Sequence, residues 1–140
     1  MSTQHWTEPR DGCRPADVRR AVRHAVADRC RAAGMPCDEA ALADALLVAS
    51  ELTTNAILHG GGVTEVDVDV VGQEVRLSVS DRSDRMPQVR APLDAQGRRT
   101  PGGRGWPIVC RLAREVRVSG LPSGGKRITV EVPLAENVRR

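Results

Sequence analysis

The spacing of apolar residues changes once along this 140-residue chain, and that change limits the folds it can adopt. Up to His59 the apolar residues recur at helical spacing, which predicts helices. From Val63 onward they alternate with polar residues, which predicts strands. The glycines Gly60 to Gly62 lie between the two regions and end the helical one. The chain therefore joins a helical first part to a largely stranded second part.

Two long helices are predicted before the glycines. The first begins at Pro15, a residue that suits a first helical turn, and ends before Gly34. The second begins after Asp38, whose side chain is a good N-cap, and continues to His59. Each helix has an apolar stripe on one side, so both are expected to cover a sheet.

Four strands and one short helix are predicted after the glycines. The first two strands form a hairpin that turns at Gly72, and the last two lie on either side of a turn between Gly120 and Gly125. The short helix has Pro107 in its first turn. We predict an α+β fold, a two-layer sandwich in which a mixed, mostly antiparallel sheet carries helices on one face.

A chain of this length needs no more than one domain, which we place at residues 15–133. Residues 1–14 are predicted to be an arm or an edge strand, and residues 134–140 a polar tail. Residues 82–104 hold many arginines, prolines and glycines and have no sustained period. A stretch this long without regular structure is typical of a functional lid, and that is the interpretation we favour.

Composition and charge exclude several classes of function. No apolar run reaches the roughly 18 residues of a membrane span, and the N-terminus does not resemble an export signal. We therefore expect a cytoplasmic protein without a membrane partner. The net charge of +3 is spread along the chain, and two tryptophans are the only aromatic residues. Direct binding of nucleic acid is not indicated.

The cysteines do not follow a metal-binding or exported pattern. Cys13, Cys30, Cys37 and Cys110 include no pair separated by two residues, so reduced thiols are expected rather than a zinc site or a disulfide. Lys126 is the only lysine among 21 basic residues. Together with the abundance of alanine, glycine and valine, this usage is typical of a high-GC bacterial genome.

Polar residues recur along one face of the second helix. Glu51, Asn55 and His59 are four residues apart, so they follow one another at about one helical turn. A carboxylate and a carboxamide in line suit Mg²⁺, which takes oxygen ligands and shares its shell with substrate phosphates. The alternative is a solvated polar face that ends at a glycine C-cap.

Two further features have the chemistry of a ligand site. Asp81 ends a strand, where a carboxylate can reach a ligand in the adjoining cleft. The segment Gly102-Gly103-Arg104-Gly105 leads into the short helix, and glycines before a helix N-terminus favour phosphate binding. This segment is neither a P-loop nor a dinucleotide-binding fingerprint, because it lacks the residues and the preceding strand that these require.

Taken together and in order, these motifs resemble the histidine-kinase-like ATPases, the Bergerat fold. The string from Glu51 to Gly60 resembles their N box, Asp81 their G1 box, and the residues from Gly103 to Val109 their G2 box. The compact form, without dimerisation or phosphoacceptor helices, is similar to the anti-sigma factor serine/threonine kinases and related bacterial ATP-binding regulators. The similarity spans about residues 15–133.

The resemblance implies a role for each matching residue. Asn55 would bind the Mg²⁺ that bridges the ATP phosphates, and Glu51 would be the general base for an incoming hydroxyl. Asp81 would accept a hydrogen bond from the adenine amino group, giving adenine specificity. His59 is expected to brace the end of the helix rather than to contact the ligand.

The remaining ATP contacts implied by the resemblance come from later in the chain. Gly103, Arg104 and Gly105 would wrap the phosphates, with Arg104 offsetting the charge on the γ-phosphoryl oxygens. Thr129 is the candidate for the threonine that the family places beside adenine.

The chain departs from the family's motif at the adenine. Two glycines of the G1 box are replaced by Ser83 and Arg85, although Ser83 stays within the predicted ATP site. Without glycine a close approach of the backbone to the base costs more, so nucleotide affinity is expected to be weak.

The resemblance implies a bacterial anti-sigma factor that binds ATP and Mg²⁺, sequesters a sigma factor and phosphorylates a serine or threonine of an antagonist protein. A homodimer is common in such proteins. The alternative is a non-catalytic, protein-binding regulator with a degenerate nucleotide pocket. A detached histidine-kinase catalytic domain is a third hypothesis, which the missing dimerisation helices disfavour.

Overall fold

We use a computed structural model of the protein, from which residues 3–7, 13–85 and 105–134 are described. The elements follow in chain order: β1 (Thr3–Thr7), α1 (Pro15–Ala33), α2 (Glu39–His59), β2 (Val63–Val71), β3 (Glu74–Asp81), α3 (Gly105–Leu112), β4 (Glu115–Gly120) and β5 (Lys126–Pro133). Most of the predicted lid, residues 86–104, and most of the tail lie outside the described residues.

The strands form one five-stranded sheet in the order β1-β2-β3-β5-β4. Every pairing between neighbouring strands in the described part of the chain is antiparallel. Helices α1 and α2 pack against each other and against this sheet, and α3 packs against α2. The predicted α+β class, with helices covering a largely antiparallel sheet, is confirmed.

The core is built from rows of apolar side chains that cross the three central strands. Leu77 of β3 lies opposite Val68 of β2 and Val130 of β5. The rows on either side are also aliphatic: one consists of Val66, Val79 and Ile128, and the other of Val70, Val75 and Val132. All nine side chains are buried, because alternate residues of a strand point to the same face and that face meets the helices.

Helix α2 begins and ends where its sequence predicts. The Asp38 side chain accepts a hydrogen bond from the backbone N–H of Ala41 at 3.1 Å, which is the expected N-cap geometry. The glycine at position 34, which ends α1, has a φ of 65°. Seven residues of α2 are buried against the sheet and the other helices: Ala41, Ala45, Val48, Ala49, Leu52, Thr53 and Ala56.

The second face of the sheet is polar and held by side-chain pairs. Arg127 of β5 lies 2.6 Å from the Asp67 carboxylate of β2, and the hydroxyls of Ser78 and Thr129 are 2.9 Å apart. These residues alternate with the core residues along their strands, so they face away from α1 and α2. One face of the sheet therefore forms the core, and the other carries polar side chains, of which Ser78, Ser80 and Glu131 are buried.

Helix α2 is also the one segment, within the described residues, that is long and apolar enough to cross a membrane, with a mean hydropathy of 1.3. Its length and composition are those of a core helix as well, and in this structure it packs against α1, α3 and the sheet.

The four cysteines are free thiols in the structure. Cys13 is buried at the start of α1, whereas Cys110 is exposed on α3. The Sγ atoms of Cys30 and Cys37 are 2.6 Å apart, so the end of α1 lies directly beside the segment that leads into α2.

The buried thiol at position 13 predicts a loss of stability at high pH. Burial, and secondarily the negative charge of Asp17, raise the pKa of the Cys13 thiol from 9.0 to about 11. The unfolded chain releases this proton at a lower pH than the folded protein does. The contribution to stability is therefore complete below about pH 9 and is lost as the pH rises toward 11.

We expect this group to remove about 1–3 kcal/mol of unfolding free energy over that interval, since each unit of pKa is worth about 1.4 kcal/mol. Urea unfolding at both ends of the interval measures the loss, and the Cys13→Ala variant should show a smaller one. An equal slope in both proteins would contradict the assignment.

Candidate functional site

The polar face of α2 is present as the sequence predicts. Glu51 and Asn55 are half-buried and His59 is exposed, in contrast to Leu52 and Ala56, which are buried in the core. Successive members of the polar face are four residues apart, about 6 Å along the helix axis. The helix thus offers one side to the core and presents a carboxylate and a carboxamide beside it.

The end of α2 lies against Asp81, the last residue of β3. The backbone N–H of Arg82 donates to the carbonyl of Gly60 at 2.9 Å. A Cβ atom at Gly60 would come within 2.5 Å of the Asp81 carboxylate, so only glycine lets the helix end so close to this side chain. Asn55 is five residues before Gly60, about 7.5 Å away along the axis. The structure therefore brings the predicted Mg²⁺ and adenine residues to one end of α2.

The Asp81 carboxylate is already bound by Lys126. The Nζ atom of Lys126 lies 3.0 Å from both Oδ1 and Oδ2. The side chains are 5% and 1% exposed for Lys126 and Asp81, which makes this a fully buried ion pair. The backbone N–H of Ser83 donates a further hydrogen bond to Oδ1 at 2.9 Å.

The turn after β3 is held to the start of β5 by further hydrogen bonds. The backbone N–H of Gly125 donates to the Asp84 carboxylate at 2.7 Å. Gly125 has a φ of 89°, and a Cβ atom there would overlap the backbone carbonyl of Asp81. Lys126 Nζ also lies 3.4 Å from the carbonyl of Ser83. The ion pair is thus enclosed by backbone on two sides.

The predicted phosphate-binding segment is described only at its end. Gly105 is the first residue of α3, and Val109 anchors that helix in the core. Gly103 and Arg104 lie outside the described residues, so their predicted contacts with phosphate stay predictions.

Thr129, the predicted neighbour of adenine, is not part of this cluster. It bonds Ser78 on the polar face of the sheet, whereas Asp81 is on the face that meets the helices. Lys126, which sequence reasoning did not assign to the site, is the residue that contacts Asp81. It is an odd number of residues from Thr129, and alternation along β5 therefore points the two side chains to opposite faces. The geometry does not support Thr129 as an adenine contact.

A signal for Lys126 was present in the strand pattern. Lys126 shares its face of β5 with Ile128 and Val130, just as Asp81 shares its face of β3 with Leu77 and Val79. Opposite charges on the core faces of two strands indicate a buried pair, provided that the strands are known to be neighbours.

No group of three metal-binding side chains is present in the described part of the chain. A Mg²⁺ ion shared with nucleotide phosphates does not need such a group, because it keeps waters and takes few protein ligands. The carboxamide of Asn55 and the carboxylate of Glu51 have suitable chemistry for a hydrated ion and for a proton acceptor, respectively.

The fold and the paired motifs define a class: a two-layer α+β domain whose candidate ligand residues lie on a long helix and at the strand end beneath it. The family model of the histidine kinase-like ATPase domain matches residues 13–132. This chain therefore belongs to the histidine kinase-like ATPase family.

No curated protein matches the chain. A solved structure that does match is the blue-light activated histidine kinase of Erythrobacter litoralis, which is 23% identical with a TM-score of 0.42. The match covers 68% of this chain and 33% of that kinase, so the chain spans about a third of the kinase's length.

The contact between Gly60 and Asp81 predicts that Gly60→Ala destabilises the protein. Gly60 has a φ of −103°, which any residue adopts, so the loss comes from the clash with the Asp81 carboxylate alone. We expect about 1–3 kcal/mol less unfolding free energy by urea denaturation.

Gly120→Ala is the matched control, because a Cβ atom at Gly120 meets nothing within 4 Å. Its unfolding free energy should stay within about 0.5 kcal/mol of the wild-type value. Equal losses in the two variants would show that the close approach at Gly60 is not what costs stability.

Proposed function

We propose that this protein is an ATP- and Mg²⁺-binding bacterial regulator of the anti-sigma factor type. In this proposal it sequesters a sigma factor in the cytoplasm and transfers the γ-phosphoryl group of ATP to a serine or threonine of an antagonist protein. The single observation that carries the proposal is the placement of Glu51 and Asn55 along one face of α2, the helix whose end touches Asp81.

The two ends of the site fit the nucleotide differently. Glu51 and Asn55 have the oxygen donors that a hydrated Mg²⁺ ion and its phosphates require. Asp81 would have to bind the base, but both of its carboxylate oxygens lie 3.0 Å from Lys126 Nζ. The residues therefore fit the phosphates and the metal, and they do not fit the amino group of adenine as they stand.

The catalytic part of the proposal depends on Glu51 as a proton acceptor. A serine or threonine hydroxyl is a weak nucleophile until a base accepts its proton, and a carboxylate one turn from the Mg²⁺ ligand can do so. Arg104 would offset charge on the transferred group from the segment before α3. The protein partner would approach this end of α2.

The contact between Lys126 and Asp81 favours a second candidate function. If the ion pair prevents nucleotide from binding altogether, the protein is a non-catalytic regulator that binds a sigma factor or its antagonist through its surface. A homodimer fits either candidate. Activity as a detached histidine-kinase catalytic domain would instead yield acid-labile phosphate on the product.

We expect Asn55→Ala to lower the affinity for ATP in the presence of Mg²⁺ by about tenfold or more, since it removes the metal ligand. The effect should disappear when Mg²⁺ is omitted. Calorimetric titration measures both values.

Leu47→Ala is the control for this variant, because Leu47 is an exposed residue of the same helix and lies outside the site. It should bind ATP like the wild type. Equal affinities for Asn55→Ala and the wild type would remove the metal-binding role.

Substitution of Glu51 by glutamine separates binding from catalysis. The carboxamide has nearly the same shape but does not accept the proton, so phosphotransfer should fall by about 10²–10⁴-fold while ATP affinity changes little. The measurement is the transfer of labelled phosphate to a serine-containing antagonist protein. Transfer at the wild-type rate would exclude Glu51 as the base.

A further inference from the structure

The core rows of the sheet end in a charged row. Three rows of apolar side chains cross β2, β3 and β5, and the next position places Asp81 opposite Lys126. The pair occupies a place that continues the core, and the Gly60 end of α2 closes over it. The pair is buried on the helical face of the sheet.

Lys126 and Asp81 are each the other's charged partner among the described residues. Lys126 bonds the carboxylate of Asp81 and, more weakly, the carbonyl of Ser83. Asp81 accepts from Lys126 and from the backbone N–H of Ser83. A buried carboxylate needs a counter-charge. A second hydrogen-bond donor can therefore bind Asp81 only if it displaces the Lys126 ammonium group or shares the carboxylate with it.

We propose that Lys126 is an affinity- and specificity-determining residue, whose ammonium group occupies the carboxylate that would otherwise bind the amino group of a nucleotide base. The inference rests on the proposed function in one respect, that Asp81 is the base-recognition residue. In consequence the wild-type protein binds a nucleoside triphosphate through its phosphates and Mg²⁺ and does not distinguish a purine with a 6-amino group from one without it.

The opposite role for Lys126 is chemically distinct. If the ammonium instead donated a hydrogen bond to a ring nitrogen of the base, Lys126 would increase the affinity for ATP. Removing the lysine then has opposite effects under the two roles, so the sign of the change decides between them.

The first arm of the test uses the wild-type protein. ATP and purine riboside triphosphate, which lacks the 6-amino group, are titrated with Mg²⁺ in a calorimeter. We expect dissociation constants within about twofold of each other. A preference of about tenfold or more for ATP would show that Asp81 reads the amino group, which overturns the inference.

The second arm removes the ammonium. Lys126→Met should raise the affinity for ATP by about tenfold or more and create a preference over purine riboside triphosphate. Because Lys126→Met leaves the Asp81 carboxylate without a counter-charge and can fail to fold, Lys126→Gln is tested beside it. The neutral amide of glutamine is a weaker donor, so it should be displaced more readily and give a smaller gain.

Arg127→Met is the matched control. It removes one positive charge from the neighbouring position of β5, but Arg127 lies on the polar face, where it pairs with Asp67. It therefore reproduces the change in net charge without releasing Asp81, and its affinity for ATP should match the wild type.

The outcomes separate this inference from the proposed function. If the wild type binds no ATP and a lysine variant does, the blocking role of Lys126 stands, whereas binding of the wild type through the phosphates alone and the kinase proposal both fail. Binding by the wild type that depends on Asn55 and is unchanged or weakened in both lysine variants overturns the inference alone. Binding by neither the wild type nor a folded variant overturns both.

Discussion

Helix α2 has to serve two purposes on adjacent faces, and the rest of the structure depends on how it does so. One side buries seven residues against the sheet and the neighbouring helices. The side next to it presents Glu51 and Asn55 about one turn apart. Because the apolar side is fixed by packing, the direction of the polar side is fixed as well. A site built on such a helix is held more firmly than one on a loop, since moving it would disturb the core.

The buried ion pair of Lys126 and Asp81 is the second constraint, and under our proposal it would limit what Asp81 can bind. Taking two charges out of water costs several kcal/mol for each, and their attraction offsets this only with good geometry and further hydrogen bonds. Here Ser83 supplies such a bond to Asp81 at 2.9 Å. Removing one partner of a buried pair costs about 3–5 kcal/mol, because the other charge is left uncompensated. The ion pair is therefore weak evidence that the fold is stabilised by it. It is strong evidence that the Asp81 carboxylate is occupied by Lys126.

Local sequence signals predicted most of the fold. The cap at Asp38 and the turn at Gly72 both depend on residues that are close in sequence. The alternation of apolar and polar residues predicted the strands. The sequence did not predict that β3 and β5 would be neighbours with Asp81 opposite Lys126, because that register joins residues 45 positions apart. The contact of Thr129 with adenine stays a prediction, although its side chain lies on the face of β5 opposite to that of Lys126. That prediction relied on proximity along the chain, whereas alternation on β5 decides which side chains face the site.

Position 126 holds the only lysine of a chain in which arginine supplies every other Lys or Arg position. Lysine and arginine bind a carboxylate with different geometry. A guanidinium is planar and holds a carboxylate through a rigid fork, whereas an ammonium is a compact charge on a flexible stem. A lysine can therefore turn away from Asp81 without the loss of two fixed hydrogen bonds. A ligand that needs Asp81 binds only the fraction of molecules in which the ammonium has moved, so its apparent affinity falls by that fraction. Under the proposed function, the ion pair would then set the nucleotide concentration at which the protein is saturated, while Asn55 on α2 would set where the metal and the phosphates lie.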